Sequence, residues 1–391
     1  VKFLSLDFAG YERSDGTFGV RNYVALIPTV GCANEVARAI ADRVKGTKPL
    51  LHHQGCCQLE PDLKIISRTL VGFGRNPNVA SALIVSLGCE SISSESVEKE
   101  IAKTGKRTER IIIQDLGGFT NSVEKGTRLA KEMFSEAQNQ KRTNANLDKL
   151  IIGLKCGASD ATSGLASNPA VGVTTDLLIK NNSTVIAAET TEMMGAEHLL
   201  AKRAADPKIS KKIMEIVERM ESRAMAVGVD MRGGQPTPGN IEGGITTIEE
   251  KSLGAICKAG KSNIRSVLDY GEPPKSKGLH FMDTPGSEMH VLPGLAAGGS
   301  QIVLFTTGRG APQGFPIMPV IKISGNQQTC QQMNEHIDVD VSSILDGAES
   351  IESAGKRILN SLIDVAKGNL TKAEITGYAE TLEIYTRGPI V

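Results

Sequence analysis

The stretch YVALIPTVGCANEVARAIADRV, Tyr23 to Val44, decides the reading of the fold. Its first six residues, Tyr23–Pro28, are an unbroken apolar run of the kind a strand buried on both faces requires. A Gly-Cys turn follows, and from about Asn34 to Val44 the apolar positions recur at helical spacing. The same alternation continues outward in both directions. Leu50-Leu51, Ala82–Leu87 (ALIVSL) and Ile111–Gln114 (IIIQ) read as further strands, with helical stretches between them. After a polar segment at Gln138–Asp148 (QNQKRTNANLD), which reads as a linker, strands recur at Leu150–Leu154, Val185–Ala188, Leu279–Met282, Ile302–Thr306 and Val320–Ile323. A charged helix over Lys208–Val227 and an amphipathic one over Ser350–Val365 are expected, the latter followed by a polar tail. Short apolar strands separated by helices of this length imply parallel βαβ units. The expected fold is α/β, two domains with mainly parallel sheets flanked by helices, divided as 1–140 and a larger 149–391. A chain of 391 residues is consistent with two cores.

Composition removes several classes of function. Lys+Arg and Asp+Glu are 44 each, so no overall basic field exists to hold a nucleic-acid backbone. Aromatic residues are 4% of the chain and Trp is absent, which removes base-stacking platforms. No apolar run approaches the roughly 18–20 residues of a membrane span, and Val1–Asp7 has neither a signal h-region nor a cleavage site. The seven cysteines include no CxxC pair, and an odd count without a secretory signal reads as reduced thiols. A cytoplasmic enzyme acting on a small molecule is the expectation, with neither nucleic acid nor membrane as partner.

In parallel α/β sheets ligands collect beyond the carboxyl ends of the strands. Cys32, Cys56, Cys89 and Cys156 all follow strand-like runs, and Gly directly precedes the first three. Cys56, Cys89 and Cys156 are therefore expected to approach one crevice, with His52, separated from Cys56 by three residues, beside them. Thiolate plus imidazole ligands favour iron or zinc over magnesium. The bland alternative is that each Cys is a small buried residue and His52 a hydrogen-bonded strand-end histidine. The loop GLKCGASDATSG, Gly153–Gly164, places Lys155, Cys156 and Asp160 in one strand-to-helix connection, where helix-start N–H groups favour an anion. Arg309, in the Gly-rich turn TTGRGAPQG, suits a carboxylate gripped bidentately; pairing with an acidic residue across the domain interface is the alternative. Asp283 in MDTPG follows another strand and belongs to the same edge. The turn at Arg309 is neither a Walker A loop nor GxGxxG. Arg232–Gly244 is a long Gly/Pro loop, and TTIEE at Thr246 reads as a capping box.

Together these motifs resemble the altronate and galactarate dehydratase family. The resemblance rests on GYERSDGTFGVRNY from Gly10, HHQGC from His52, LGCE from Leu87 and GLKCGASDATSGLASNPAVG from Gly153. It continues through ETTEMMGAEHLLAKRA from Glu189, PTPGNIEGGITTIEEKSLG from Pro236, MDTPG from Met282 and FTTGRG from Phe305. Ala158 and Cys57 stand where Gly is common in that family. The resemblance implies a lyase that eliminates water from a sugar acid, an altronate-like aldonate or aldarate, to give a 2-keto-3-deoxy acid. It also implies Fe2+, with an iron–sulfur cluster or Mn2+ as alternatives, and a small SAF-domain subunit on a separate polypeptide in an oligomer. The large subunit of (2R)-sulfolactate sulfo-lyase is similar, so release of sulfite and pyruvate is the second reading, and a non-catalytic regulatory subunit the third. Under the first reading His52, Lys155 and Asp160 are the catalytic candidates, and Arg21, Asn22, Asp283 and Arg309 would hold the carboxylate substrate. His52, Cys56, Cys89 and Cys156 would hold the metal.

Overall fold

A computed structural model describes residues 7–379 and 382–390. Its strands, in chain order, are β1 (Asp7–Glu12), β2 (Phe18–Gly19), β3 (Tyr23–Pro28), β4 (Thr47–Pro49), β5 (Val79–Ser86), β6 (Thr108–Ile112) and β7 (Thr143–Asn146). They continue with β8 (Ile151–Gly157), β9 (Thr184–Ala187), β10 (Ile264–Leu268), β11 (Gly278–Met282), β12 (Ile302–Thr307), β13 (Val320–Ser324) and β14 (Val339–Asp340). A four-stranded sheet in the order β4-β3-β5-β6 is parallel throughout. So is a seven-stranded sheet in the order β10-β11-β9-β8-β12-β13-β14. Every residue of β5 and β12 is buried, as helices on both faces of a parallel sheet demand. The expected α/β class with parallel sheets is the observed one.

The polar segment read as a linker is itself structured. Thr143–Asn146 pairs antiparallel with β1, which pairs with β2 in turn. Only Ala145 of its four residues is buried, so the strand carries too little alternation to be read. Through this small sheet Phe8, Phe18 and Val20 enter the core of the large unit.

The two parallel sheets are not separately cored. One apolar cluster runs from Ile27, Leu70 and Phe73 of the small unit to Tyr270, Leu295 and Phe305 of the large one. The helices Glu60–Arg75 and Glu288–Ala297 meet there at Gly72, where a β-carbon would stand 2.4 Å from the Ala297 carbonyl oxygen. Two buried asparagines stitch the same seam: Asn76 Nδ2 donates to the carbonyls of Ala296 and Ser300, and Asn78 Nδ2 to those of Gln301 and Ile317. The tail is likewise not simply polar, because Leu382, Ile384 and Tyr385 are buried in this seam. Among the described residues no helix is long and apolar enough to cross a membrane.

Candidate active site at the carboxyl edge of the large sheet

The last residues of β8 turn two functional groups into the protein. Lys155 Nζ lies 2.5 Å from Glu189 Oε1 and donates to the carbonyl of Gly286 at 2.9 Å. Glu189 follows β9 in a left-handed conformation (φ 77°), fixed by its N–H bond to Thr284 Oγ1. Its second oxygen accepts from the Cys156 N–H at 2.8 Å and from Lys258 Nζ at 3.0 Å. Lys258 Nζ also reaches Cys156 Sγ at 3.1 Å. All four residues are buried.

Burial alone would push the Glu189 carboxyl up, but Lys155 and Lys258 outweigh it and hold the group below the usual carboxylate range. Burial opposes the Lys155 ammonium, and Glu189 and Glu288 more than offset it. Burial also opposes the Lys258 charge, which the Glu189 carboxylate and the hydrogen bond to Cys156 Sγ restore. The Cys156 thiol is pushed up to about 12, by burial first and Glu189 second. The buried cluster is therefore two ammonium groups, one carboxylate and a neutral thiol, with the carboxylates of Glu288 and Glu192 also acting on its lysines.

A cavity of about 210 Å³ opens beside it, lined by Ser159, Asp160, Ser163, Asn168, Glu250 and Lys251. Helix Ile248–Ile256 supplies Glu250 and Lys251, and its N-cap is Thr247, whose hydroxyl accepts from the Glu250 N–H while Glu250 Oε2 accepts from the Thr246 N–H. Lys251 Nζ lies 3.1 Å from Glu192 Oε1. Glu192 Oε2 is buried and unpartnered, and Glu192 shares a small void with Glu189 and Lys258. A small acid in this cavity meets an ammonium at the wall, with a free carboxylate oxygen behind it.

Two family models cover the chain: D-galactarate dehydratase/altronate hydrolase, second domain, over residues 10–138, and D-galactarate/altronate dehydratase, C-terminal, over 147–389. The chain belongs to the D-galactarate/altronate dehydratase family. It is 39% identical to the (2R)-sulfolactate sulfo-lyase subunit beta of Chromohalobacter salexigens, across 95% of this chain and 96% of that one. It is 35% identical to the altronate dehydratase of Bacillus subtilis, across 97% of this chain and 78% of the relative. With the L-threo-forming galactarate dehydratase of Escherichia coli it shares 30% identity, across 98% and 77%. These relatives are dehydratases and a lyase subunit, and the family is one of enzymes.

In this family member the residues expected to hold a metal are divided between two sheets. Cys32, Cys56 and Cys89 follow β3, β4 and β5, and their loops are joined by Gly31 N–H to Gln54 O and Ser91 N–H to Gly55 O. All three thiols are exposed, as is Cys57, whereas Cys156 is buried beside Lys258 under the large sheet's edge. His52 is buried with both ring nitrogens committed: Nε2 lies 2.7 Å from the Pro28 carbonyl, and Nδ1 accepts from the Gln54 N–H. Burial lowers it to about 4, so it is a neutral Nε2–H donor. Among the described residues no group of three or more His, Cys, Asp or Glu side chains could hold a metal ion. The set His52, Cys56, Cys89 and Cys156 thus does not fit iron as expected.

Other expected site residues are engaged in the fold. Arg21 spends its donors on Glu374 and on the carbonyls of Val20, Val365 and Asn369, and Asn22 bonds Arg13 and the Ala137 carbonyl. Asp283 is buried, accepting from Thr190, Arg219 and Arg387. Asp160 Oδ1 accepts from Thr162 and Ser163 and Oδ2 from Asn326, so it organises the cavity wall. Lys155 is held as an ammonium by Glu189, which suits an electrostatic role and not that of a base. Arg309, half-exposed, pairs with Glu242 at 2.8 Å and the Gly239 carbonyl, both within the large unit and not across the boundary between the two units. Glu189, Glu192, Lys251 and Lys258 were not singled out from the sequence. Glu189 directly after the run VIAA was the one legible signal; Lys258 lies far along the chain in a helical stretch.

Proposed function

We propose that this chain is the catalytic subunit of a lyase that eliminates water from an altronate-like aldonate or aldarate, giving a 2-keto-3-deoxy acid. The observation that carries the reading is the Glu192–Lys251 pair between the cavity and the buried Lys155–Glu189–Lys258 cluster. The substrate carboxylate pairs with Lys251. Glu192 Oε2 takes the C2 proton, and the electron pair moves toward the carboxylate as an enediolate. That growing charge is stabilised by Lys251 and by the fixed potential of Lys155 and Lys258. The carboxylic acid of Glu192 returns the proton to the C3 hydroxyl, which departs as water as the C3–O bond breaks, and the enol tautomerises. Arg309 remains the candidate for a second carboxylate, because an aldarate carries one at each end.

Iron or manganese enters from the family resemblance alone. Metal analysis of anaerobically purified protein tests that requirement. A separate small SAF-domain subunit is part of the proposal, supported by the relative named as subunit beta; activity with and without that subunit tests it.

The second reading, expulsion of sulfite from sulfolactate with pyruvate as product, is favoured by the 39% identity to the sulfo-lyase subunit, against 35% for an altronate dehydratase. One screen separates the two. Aldonates, aldarates and sulfolactate are each supplied, and keto acid and sulfite are measured. Keto acid from a sugar acid without sulfite supports the dehydratase; sulfite from sulfolactate alone replaces it with the sulfo-lyase; no product from either class sinks both.

A further inference from the structure

The loop Gln54–Gln58 carries two adjacent thiols that the chemistry above does not use. Cys56 and Cys57 are both exposed, and their sulfurs are 3.6 Å apart. The loop is pinned on each side. Gly31 N–H donates to Gln54 O, Ser91 N–H to Gly55 O, and Gln58 Nε2 to Gln54 Oε1 at 2.7 Å. Gly55, at φ 117°, lies so close to the β3 loop that a β-carbon would stand 2.2 Å from the Thr29 carbonyl oxygen. Cys57 itself is left-handed (φ 64°), an unfavourable conformation for a residue with a side chain. This backbone turns the Cys57 sulfur back to its neighbour; in an extended chain adjacent side chains diverge. Among the described residues no other two thiols are in hydrogen-bond contact.

We propose that Cys56 and Cys57 are an oxidation site that closes reversibly to a vicinal disulfide. With a peroxide as oxidant, one thiolate attacks the O–O bond and becomes a sulfenic acid as hydroxide leaves. The neighbouring thiol then attacks that sulfur, and water is released. In sum, two thiol hydrogens and two electrons reduce hydrogen peroxide to two waters, and one S–S bond forms. The sulfurs must close from 3.6 Å to about 2.05 Å. Adjacent α-carbons are about 3.8 Å apart, nearer than the about 4.4–6.8 Å of an ordinary disulfide. The bridge is therefore strained, and a strained exposed disulfide is readily reduced again. That reversibility separates it from a structural crosslink.

The test uses the intact protein treated with hydrogen peroxide, alkylated with iodoacetamide and digested with trypsin. The fragment Gly46–Lys64 contains Cys56 and Cys57 and no other cysteine. The expected fragment has lost two hydrogens and both alkylation sites, and dithiothreitol restores them. Cys57→Gly, which suits the left-handed backbone, should leave Cys56 alkylated and without an internal bridge. Two alkylated cysteines in the wild-type fragment while Cys32 and Cys89 oxidise would overturn the proposal. So would a crosslink from Cys56 to Cys32 or Cys89, or a sulfinic acid at Cys56 beside a free Cys57.

Discussion

Both parallel sheets end in a cysteine-bearing edge, and the two edges have opposite characters. At the large sheet Cys156 is buried in a cage of Lys155, Glu189 and Lys258, its sulfur 3.1 Å from an ammonium. At the small sheet Cys32, Cys56, Cys57 and Cys89 face solvent. The same residue type at the same topological position is in one case an inert neutral thiol and in the other a solvent-accessible one. Burial and charged neighbours, more than the strand-end position itself, decide what a cysteine can do there.

The strongest way to break this contrast is to disarm the closed edge. Glu192→Gln keeps the shape of the side chain and removes the proposed proton acceptor. Turnover on the substrate that the screen identifies should fall roughly 10²–10⁴-fold, the usual worth of a positioned acid–base group, with little change in the melting temperature. Wild-type turnover in this variant would remove Glu192 from the mechanism. Glu189→Gln attacks the same edge structurally. It leaves Lys155 and Lys258 buried with no carboxylate between them, and should cost about 3–5 kcal/mol in urea unfolding. A smaller loss would mean that one lysine sheds its proton when Glu189 is gone.

The open edge responds to acid through the residue beneath it. His52 is held neutral, at about 4 against an ordinary 6.5. Between those values the unfolded chain binds a proton that the folded chain refuses, so stability falls as pH drops through this window and rises as pH increases. The contribution is at most about 3 kcal/mol, read as the part of the acid sensitivity between pH 6.5 and 4 that disappears in His52→Asn. An unchanged pH slope would show that His52 is not shielded from water. The smallest effect belongs to Cys57→Gly, where relief of the left-handed backbone and the added freedom of the unfolded chain oppose each other. Unfolding should move by less than about 1 kcal/mol in either direction, and a larger loss would mean that the Cys57 side chain holds the loop.

Much of the architecture was legible because β3, β5, β8 and β12 are apolar runs that could be little else. β1 and β7 were not, since a strand such as TNAN is composed like a linker. At the site, the sequence located Lys155 and Cys156 but not their partners. Nothing in a string of letters shows that residues 155, 189 and 258 meet, because that contact is made by three separate segments arriving at one edge. For the same reason four cysteines after four strands look equivalent until the sheets are drawn. The orientation of His52 was equally hidden: one ring nitrogen is satisfied by the Gln54 N–H beside it and the other by the Pro28 carbonyl at the end of β3.

The tail adds a matter of timing. Gln54 in the thiol-bearing loop donates to the carbonyl of Ile384, and Gln58 bridges to Ile390. Asp62, at the start of the next helix, accepts from the N–H groups of Arg387 and Gly388, while the Arg387 side chain crosses to Asp283 of the large unit. A ribosome delivers residues 54–62 more than three hundred residues before these partners. The small unit therefore emerges with the loop of its open edge unsecured, and that loop acquires its last bonds only when this tail has been synthesised and laid across the seam. Nascent chains stalled before the tail should expose Cys56 and Cys57 to proteases and alkylating agents more than the finished protein does.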